Sequence, residues 1–308
     1  MDLQINQKFV DEIRSRMEPS CILLNEPMRE HTTFHIGGPA DVLIFPTSME
    51  DVSFVFQCLK KHGIPFVILG NGSNVLVLDK GIRGAVIKFN SLFSAIEKKG
   101  NILKAGAGAL LSDIAKFAAE KGLSGMEFAC GIPGSIGGAV FMNAGAYDGE
   151  MKQVVSAVRA ISPEGKMVHF AADHLEFGYR HSIFQENGCA ICEIELTLVP
   201  GAVQDIEEKM AGFTKRRESK QPLEMPSAGS TFKRPEGYYA GTLIEQTGLK
   251  GFTVGGAQIS EKHAGFVVNT GSATAADVLE LIRQVQQRVF DKHQVKLFPE
   301  VRVLGEKD

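Results

Sequence analysis

The sequence has no large excess of charge of either sign. Its 33 lysines and arginines stand against 36 aspartates and glutamates, which gives a formal net charge of −3 at pH 7. A protein that attracts nucleic acid through a general positive field carries a clear excess of basic residues. We therefore expect no nucleic-acid partner, and any phosphate group that binds must be held by local features of the chain.

Long apolar runs and targeting segments are also missing. No window comes close to the ~18 uninterrupted apolar residues of a membrane span. Residues 1–20 alternate charged and apolar residues and lack the apolar centre of a signal peptide. We therefore expect no membrane insertion and a location in the cytoplasm.

Cysteine is scarce, and its five positions are scattered: Cys21, Cys58, Cys130, Cys189 and Cys192. Only Cys189 and Cys192 have a spacing that suggests metal or redox chemistry. They lie in a predicted strand, where residues three apart point to opposite faces, and no second Cys or His pair is nearby. Ordinary burial is therefore the favoured interpretation, and we expect no metal site.

Glycine, by contrast, is abundant: 33 of 308 residues, or about 11%, against an average near 7%. The hydrophobic fraction of 44% and the charged fraction of 22% are typical of folded domains. This high apolar fraction excludes a disordered protein, and the absence of a three-residue glycine repeat excludes a collagen-like one. At about 150 residues per domain, the length predicts two domains or three small ones.

The residue pattern predicts a mixture of helices and strands. Strands interrupted by glycine are predicted between about residues 32 and 199, and a second α/β unit over about 205–295. The last predicted helix begins near Thr274 and Asp277, whose spacing resembles a capping box. Apolar residues at helical spacing predict a helix over 5–17. Further helices are predicted near 48–62 and, as a charged helix, over 204–218.

Two segments have the composition of phosphate-binding loops: GNGSN at 70–74 and GIPGSIGG at 131–138. Glycine lets backbone N–H groups approach a phosphate and permits left-handed conformations. Neither segment is a GxGxxG turn or a GxxxxGK[ST] loop, so each alone is better explained as a tight turn. Both follow apolar strands, however, and the second leads into AVFMNAGA, a helix start of small residues that suits a diphosphate.

Five motifs, in this order, resemble the UDP-N-acetylenolpyruvoylglucosamine reductase family: GNGSN, GIPGSIGGAVFMNAGAYDGE, YRHSIF, AGSTFKRP and FPEVR. The resemblance covers about residues 30–305. It implies an α+β fold, with a two-lobed FAD-binding module of the vanillyl-alcohol-oxidase (PCMH) type and a smaller α/β substrate domain. It also implies an NADPH-dependent flavoenzyme that reduces UDP-N-acetylglucosamine enolpyruvate to UDP-N-acetylmuramate in peptidoglycan precursor synthesis.

The resemblance also implies a domain division and a cofactor site. Residues 1–80 with the C-terminal strand 297–308 would form the first FAD lobe, 81–203 the second lobe, and 204–296 the substrate domain. Non-covalent FAD contacts fall on positions with a short side chain or an exposed N–H group: Gly70, Asn71, Gly72, Ser73, Asn74, Gly131, Ile132, Pro133, Gly134, Ser135, Gly137, Gly138, Asn143 and Ala144.

Three polar residues become candidates for catalysis only through this resemblance. By pattern alone, Arg180 could be a surface arginine on a strand, Ser230 a turn or cap serine, and Glu300 an exposed strand start. The resemblance assigns Ser230 as the proton donor to the substrate, and Arg180 and Glu300 as residues that stabilise the enolate-like intermediate. A guanidinium suits that negative charge, whereas Glu300 could act either as a hydrogen-bond partner or as an acid.

The UDP diphosphate of the substrate calls for basic side chains. The most basic stretch, residues 215–222, is equally explained by the helix dipole, but the resemblance assigns substrate contacts to Lys220, Arg234, Lys250 and His263. Tyr238 and Tyr239 would either cover the uracil or the sugar, or be ordinary surface residues.

One departure from the family pattern concerns closure over the substrate. Only 17 residues (231–247) separate Ser230 from Gly248, so the closing loop that the longer branch of the family inserts here is missing. Closure is then expected from another segment, around 236–241. We expect a monomer.

Two other functions agree with parts of this pattern. One is a different FAD oxidoreductase of the vanillyl-alcohol-oxidase type, and the other is a non-catalytic module that binds flavin or a nucleotide sugar. The combination of Ser230, Arg180, Glu300 and Lys220 argues against the first. Only turnover separates the second from the reductase.

Overall fold

The computed structural model describes residues 7–307, which form seven α-helices and nineteen strands. The helices are α1 Gln7–Arg14, α2 Met49–His62, α3 Leu111–Glu120, α4 Ile136–Phe141, α5 Val203–Lys220, α6 Ala240–Gln246 and α7 Ala275–His293. The strands are β1 Ile22–Pro27, β2 Pro39–Ile44, β3 Phe66–Leu69, β4 Val75–Val77, β5 Ile82–Lys88, β6 Ile96–Lys99, β7 Ile102–Gly106, β8 Leu123–Ser124, β9 Gly145–Ala146, β10 Gly149–Glu150, β11 Val155–Ile161, β12 Met167–Ala171, β13 Ala190–Thr197, β14 Val199–Pro200, β15 Ser227–Ser230, β16 Thr253–Val254, β17 Ala257–Ile259, β18 Phe266–Asn269 and β19 Arg302–Leu304.

The chain divides into two compact units, neither of which is one continuous stretch. Unit 1 contains the described residues up to Leu24, then Val42–Asn71 and Gly84–Arg217. Unit 2 contains Asn25–Asp41, Gly72–Arg83 and the residues from Glu218 onward. The predicted division into two lobes and a substrate domain remains a prediction.

The largest sheet of unit 1 is antiparallel, with the order β12-β11-β13-β7-β6. Val158, Ile194 and Ala105 are paired across it, and all three are fully buried. Their strand neighbours point to the other face, where Arg159 and Glu193 form an ion pair at 3.3 Å. This alternation with a period of two buries one face of the sheet and leaves the other charged.

The CxxC pair lies at the start of β13, and both side chains are buried. Burial raises the pKa of Cys192 to about 12 and also raises that of Cys189, so both thiols stay protonated at neutral pH. Within residues 7–307, no cluster of three or more His, Cys, Asp or Glu side chains is arranged to hold a metal ion.

The core of unit 2 lies between α7 and the antiparallel sheet β15-β18-β17-β16. The capping box predicted at Thr274 and Asp277 is present: each side chain accepts the backbone N–H of the other residue. Asp79, in the loop after β4, accepts two further N–H groups of this helix, from Ala275 at 2.8 Å and Ala276 at 3.0 Å. These bonds satisfy backbone donors that a helix start otherwise leaves unpaired.

Two of the helix predictions also agree with the structure. The helix predicted over 48–62 is α2, which Ser48 caps by accepting the Asp51 N–H, and the one predicted over 204–218 is α5. The helix predicted over 5–17 is found as α1, with residues 5 and 6 outside the described part of the chain. In the described part of the chain, none of the helices combines the length and the apolar character that crossing a bilayer requires.

Candidate active site

In unit 1, the start of the first glycine segment lies directly against the second. The side-chain amide of Asn71 donates to the Pro133 carbonyl at 2.7 Å. A Cβ atom at Gly70 would lie 2.2 Å from Ser135 Oγ, far inside van der Waals contact. Glycine at residue 70 is therefore what allows the two segments to meet.

Ser135 stands at the centre of this contact, immediately before α4. It is 1% exposed, and its Oγ has no hydrogen-bond partner within residues 7–307. A Cβ atom at Gly138 would lie 3.6 Å from the same oxygen. Buried hydroxyl groups are nearly always hydrogen-bonded, so an unsatisfied one between glycines marks a position where a ligand can supply the partner.

Asn143 follows α4 and is 1% exposed. Its amide nitrogen donates to Glu150 Oε2 and to the Gly178 carbonyl, both at 3.0 Å, and its amide oxygen accepts the Lys152 N–H at 3.0 Å. These three bonds hold the segment after α4 to the Gly178 turn. The FAD contact assigned to Asn143 stays a prediction. Whether or not FAD is bound, the side chain stabilises this segment through the three hydrogen bonds.

Arg180 lies in a tight turn closed by an isolated bridge between Gly178 and His181, not on a strand. Its φ of +54° places it in the left-handed region, which is uncommon for a residue with a side chain. The Gln185 amide donates both to the Arg180 carbonyl at 2.8 Å and to the Phe141 carbonyl at 3.0 Å. The turn is thus tied to the end of α4, the helix that begins after Ser135.

In unit 2, the structure brings Ser230 and Glu300 close together. Ser230 ends β15, pairs with Phe266 and is exposed. The next residue, Thr231, accepts the Glu300 N–H at 2.8 Å. Two residues predicted for catalysis and 70 positions apart in sequence therefore lie in adjacent segments of one unit, whereas Arg180 belongs to unit 1. The predicted tail strand is shorter than expected, because β19 begins only at Arg302.

The second half of the GNGSN segment belongs to unit 2. Gly72 has a φ of +71°, and its carbonyl accepts the Thr33 N–H at 3.2 Å. The Asn74 carbonyl accepts the Arg302 N–H at 3.0 Å, and the Asn74 amide donates to the Glu300 carbonyl at 3.5 Å. The predicted cofactor residue Asn74 thus lies beside the predicted catalytic residue Glu300.

His263 is surrounded by basic groups of unit 2. Its Nδ1 accepts the Gly265 N–H at 3.0 Å, which leaves the ring proton on Nε2. Burial, together with the positive charges of Lys250 and Lys220, lowers its pKa, an effect that Glu245 partly opposes. Three of the four predicted substrate residues are therefore near enough to interact electrostatically, and Lys250 is also paired with Glu245 at 2.7 Å.

The fourth predicted substrate residue, Arg234, stacks on an aromatic ring. Its guanidinium carbon lies 4.1 Å from the centre of the Tyr239 ring, and Tyr239 is 61% exposed. Arg217 lies against the second glycine segment. No role was predicted for Arg217 itself from the sequence, although it belongs to the basic stretch 215–222 and lies one helical turn before Lys220.

Residues 40–171 match the family model described as an FAD binding domain, which places the chain among the FAD-binding proteins. Residues 221–304 match the model described as the C-terminal domain of UDP-N-acetylenolpyruvoylglucosamine reductase. The chain is 53% identical over 284 residues to the reductase of that name from Clostridium perfringens, covering 92% of this chain and 93% of the relative. It is 49% identical over 299 residues to the one from Caldanaerobacter subterraneus, covering 97% and 99%.

The crystal structure of the reductase (MurB) from Thermus caldophilus aligns with a TM-score of 0.79 at 38% identity, over 92% of this chain and 98% of that one. The chain belongs to the UDP-N-acetylenolpyruvoylglucosamine reductase family. The predicted family and the predicted fold class are thereby confirmed. The comparisons name families and do not test single residues, so the roles assigned to individual side chains stay predictions.

Proposed function

We propose that this protein is the FAD-dependent, NADPH-consuming reductase that converts UDP-N-acetylglucosamine enolpyruvate into UDP-N-acetylmuramate, a step of peptidoglycan precursor synthesis. The observation that carries the proposal is the 53% identity to a reductase of this name across 92% of the chain. The proximity of Ser230 and Glu300 in unit 2 supports the same reaction, because both are residues that the family motifs assign to it.

The residues of the glycine segments fit FAD. Ser135 Oγ is buried and finds no hydrogen-bond partner in the described part of the chain, and the close contact at Gly70 leaves no room for a side chain at that point. Gly70, Asn71, Ser135 and Gly138 would hold the diphosphate through backbone N–H groups and the Ser135 hydroxyl, whereas the Gly137 N–H already donates to the Ala107 carbonyl at 2.9 Å. When bound, FAD supplies the hydride chemistry between NADPH and the substrate.

In the proposed reaction, Ser230 holds the proton that its Oγ delivers to the substrate carbon. The exposed position of Ser230 at the end of β15 leaves that hydroxyl accessible. Arg180 would stabilise the negative charge that develops on the substrate carboxylate, through charge-assisted hydrogen bonds. Glu300, whose backbone is fixed by Thr231, would orient the reacting end of the substrate.

The UDP diphosphate would be bound by the basic group of Lys220, Lys250 and His263, together with Arg234. Because its pKa is lowered and Gly265 occupies Nδ1, His263 would bind as a neutral donor through Nε2–H. The lysines supply the positive charge that the diphosphate requires.

The variant Ser230→Ala tests the assignment of the proton donor. Under anaerobic conditions, NADPH should reduce its flavin at nearly the wild-type rate, whereas reoxidation by the enolpyruvyl substrate should be almost abolished. Ser227→Ala, in the same strand, is the matched control and should behave as wild type in both half-reactions. Loss of flavin reduction in Ser230→Ala would contradict the role of proton donor, and a wild-type flavin that responds to neither reagent would refute the reductase.

A cytoplasmic location and a monomeric state are further parts of the proposal. All five cysteines are free thiols, which suits a reducing compartment. Light scattering of the purified protein measures the mass, and a dimer mass would contradict the monomer.

A further inference from the structure

The helix that leads to Lys220 packs against the segment that contains the second glycine loop. The Phe213 ring of α5 stacks on Tyr147, with ring centres 4.3 Å apart and planes within 2°. The Cys130 thiol, directly before the loop, lies 3.7 Å from the Met210 carbonyl of the same helix. All of these residues belong to unit 1, so α5 forms one wall beside the loop.

Arg217 extends from this helix over the start of the loop. Its Cδ lies 2.8 Å from the position that a Cβ atom of Gly131 would occupy. Any side chain at residue 131 would therefore displace the arginine. Glycine at this position, like glycine at residue 70, is explained by what lies against it.

The side chain of Arg217 is half-buried, and its guanidinium has no hydrogen-bond or ion-pair partner within residues 7–307. Its Nε is buried and makes no hydrogen bond, and no ion pair of Arg217 is found within residues 7–307. Burial lowers its pKa, an effect that Tyr147 and Cys130 only partly offset. Buried charges in proteins are normally paired, because an unpaired one has a high desolvation cost. An anion bound at the loop would supply the partner that residues 7–307 do not provide.

We propose that Arg217 binds an anionic oxygen of the FAD held at the 131–138 loop. This inference rests on the function proposed above, and it adds a basic side chain to a site otherwise built from backbone N–H groups and the Ser135 hydroxyl. The planar guanidinium, which donates in a fixed fork, suits either a diphosphate oxygen or the anionic edge of the reduced flavin ring. Both sources belong to the same cofactor, and they differ in when the negative charge is present.

The test compares Arg217→Met, Arg217→Lys and the control Lys215→Met, an exposed lysine of the same helix. The apoproteins are titrated with FAD, and binding is followed by flavin fluorescence. Loss of a charge-assisted bond should weaken FAD binding by Arg217→Met about tenfold to a hundredfold. Arg217→Lys should recover part of that loss, and Lys215→Met should bind as wild type.

Unfolding of the apoproteins provides a second readout. Because Arg217→Met removes an unpaired, half-buried charge and keeps an apolar stem against Gly131, the apoprotein should be as stable as wild type or more stable. A residue with a purely structural role would instead lower the apoprotein's unfolding midpoint. Weaker FAD binding without a loss of apoprotein stability therefore supports the proposal. Unchanged FAD binding with a less stable apoprotein overturns it.

The midpoint potential separates the two sources of negative charge. If Arg217 contacts the diphosphate, Arg217→Met should weaken the binding of oxidised and reduced FAD equally and leave the potential unchanged. If Arg217 contacts the reduced ring, Arg217→Met should make the potential more negative, by about 30 mV for each tenfold loss of preference for the reduced form. Either result supports the proposal. It is overturned if FAD affinity and potential are both unchanged in Arg217→Met, including the case in which only the affinity for the UDP substrate falls.

Wild-type apoprotein that does not bind FAD would refute the proposed function and this inference with it. If the wild-type apoprotein binds FAD and the Arg217 variants show the same FAD affinity and midpoint potential, only the role of Arg217 is refuted.

Discussion

The contact between Gly70 and Ser135 allows a prediction in which one substitution cancels the harm of another. In Gly70→Ala, the new methyl group would lie 2.2 Å from Ser135 Oγ, whereas its next neighbours, Ser135 Cβ and the Gly138 nitrogen, lie at the ordinary distances of 3.6 and 3.7 Å. The φ of Gly70 is not in the left-handed region, so alanine causes no backbone strain. The whole cost therefore comes from one oxygen atom.

The magnitudes follow from this geometry. Overpacking of this kind costs about 1–3 kcal/mol, so Gly70→Ala should destabilise the apoprotein by that amount. Ser135→Ala removes a buried hydroxyl that has no partner and should leave the apoprotein unchanged or more stable. The double variant should be close to Ser135→Ala, which corresponds to a favourable coupling of about 1–3 kcal/mol.

The assay is urea unfolding of the four apoproteins, followed by circular dichroism because the chain contains no tryptophan. Gly212→Ala, a helix position with no neighbour within 4 Å of its Cβ, is the matched control and should stabilise by about 0.5–1 kcal/mol. In a parallel titration, Ser135→Ala should bind FAD about tenfold more weakly. A double variant as unstable as Gly70→Ala alone would refute the reasoning, since the clash would then lie elsewhere.

Three further predictions concern single residues. Asn143→Ala should destabilise the protein by about 2–4 kcal/mol, because it removes three hydrogen bonds, one of them to Gly178, and places alanine at a φ of +41°. Calorimetry measures this effect, and an unchanged unfolding temperature would contradict the prediction. Asp79→Ala should cost about 1–2 kcal/mol through the lost cap at Ala275, which urea unfolding detects, and Asp79→Asn should cost less. Burial lowers the pKa of Lys88 to about 8. Between this pH and the usual lysine pKa the unfolded chain binds more protons than the folded protein, so the free energy of unfolding should rise with pH over this range. Lys88→Met should abolish the rise, and a free energy of unfolding of the wild type that falls over this range would contradict the lowered pKa.

The parts of the fold that could be predicted are those determined by neighbouring residues. The helix α2 and the capping box of α7 follow from apolar spacing and from cap residues within one turn. The same holds for the glycine segments, whose sequence shows where the chain turns tightly. The burial of Cys189 and Cys192 agrees with the expectation that these residues are ordinary buried cysteines.

The parts that could not be predicted depend on contacts between distant residues. The proximity of Ser230 and Glu300 arises from a hydrogen bond between Thr231 and the residue 69 positions later, 300 minus 231. Only the family motifs joined these residues, since no periodicity relates them. The turn at Arg180 was equally hidden, because a positive φ at an arginine results from surrounding bonds such as that from Gln185.

Because each unit is assembled from separate stretches of the chain, parts of unit 2 cannot fold as soon as they are synthesised. β4 pairs in parallel with β19, so Val75 meets Arg302, 227 residues later (302 minus 75). While the ribosome is still synthesising the chain, β4 has no strand partner from this pair until residues 302–304 have emerged. Unit 2 therefore cannot be completed from the N-terminus onward. Its early segments, 25–41 and 72–83, can pack into unit 2 only after the residues beyond 217 have been synthesised. If the ribosome stalls before those residues, these segments lack most of the unit they belong to.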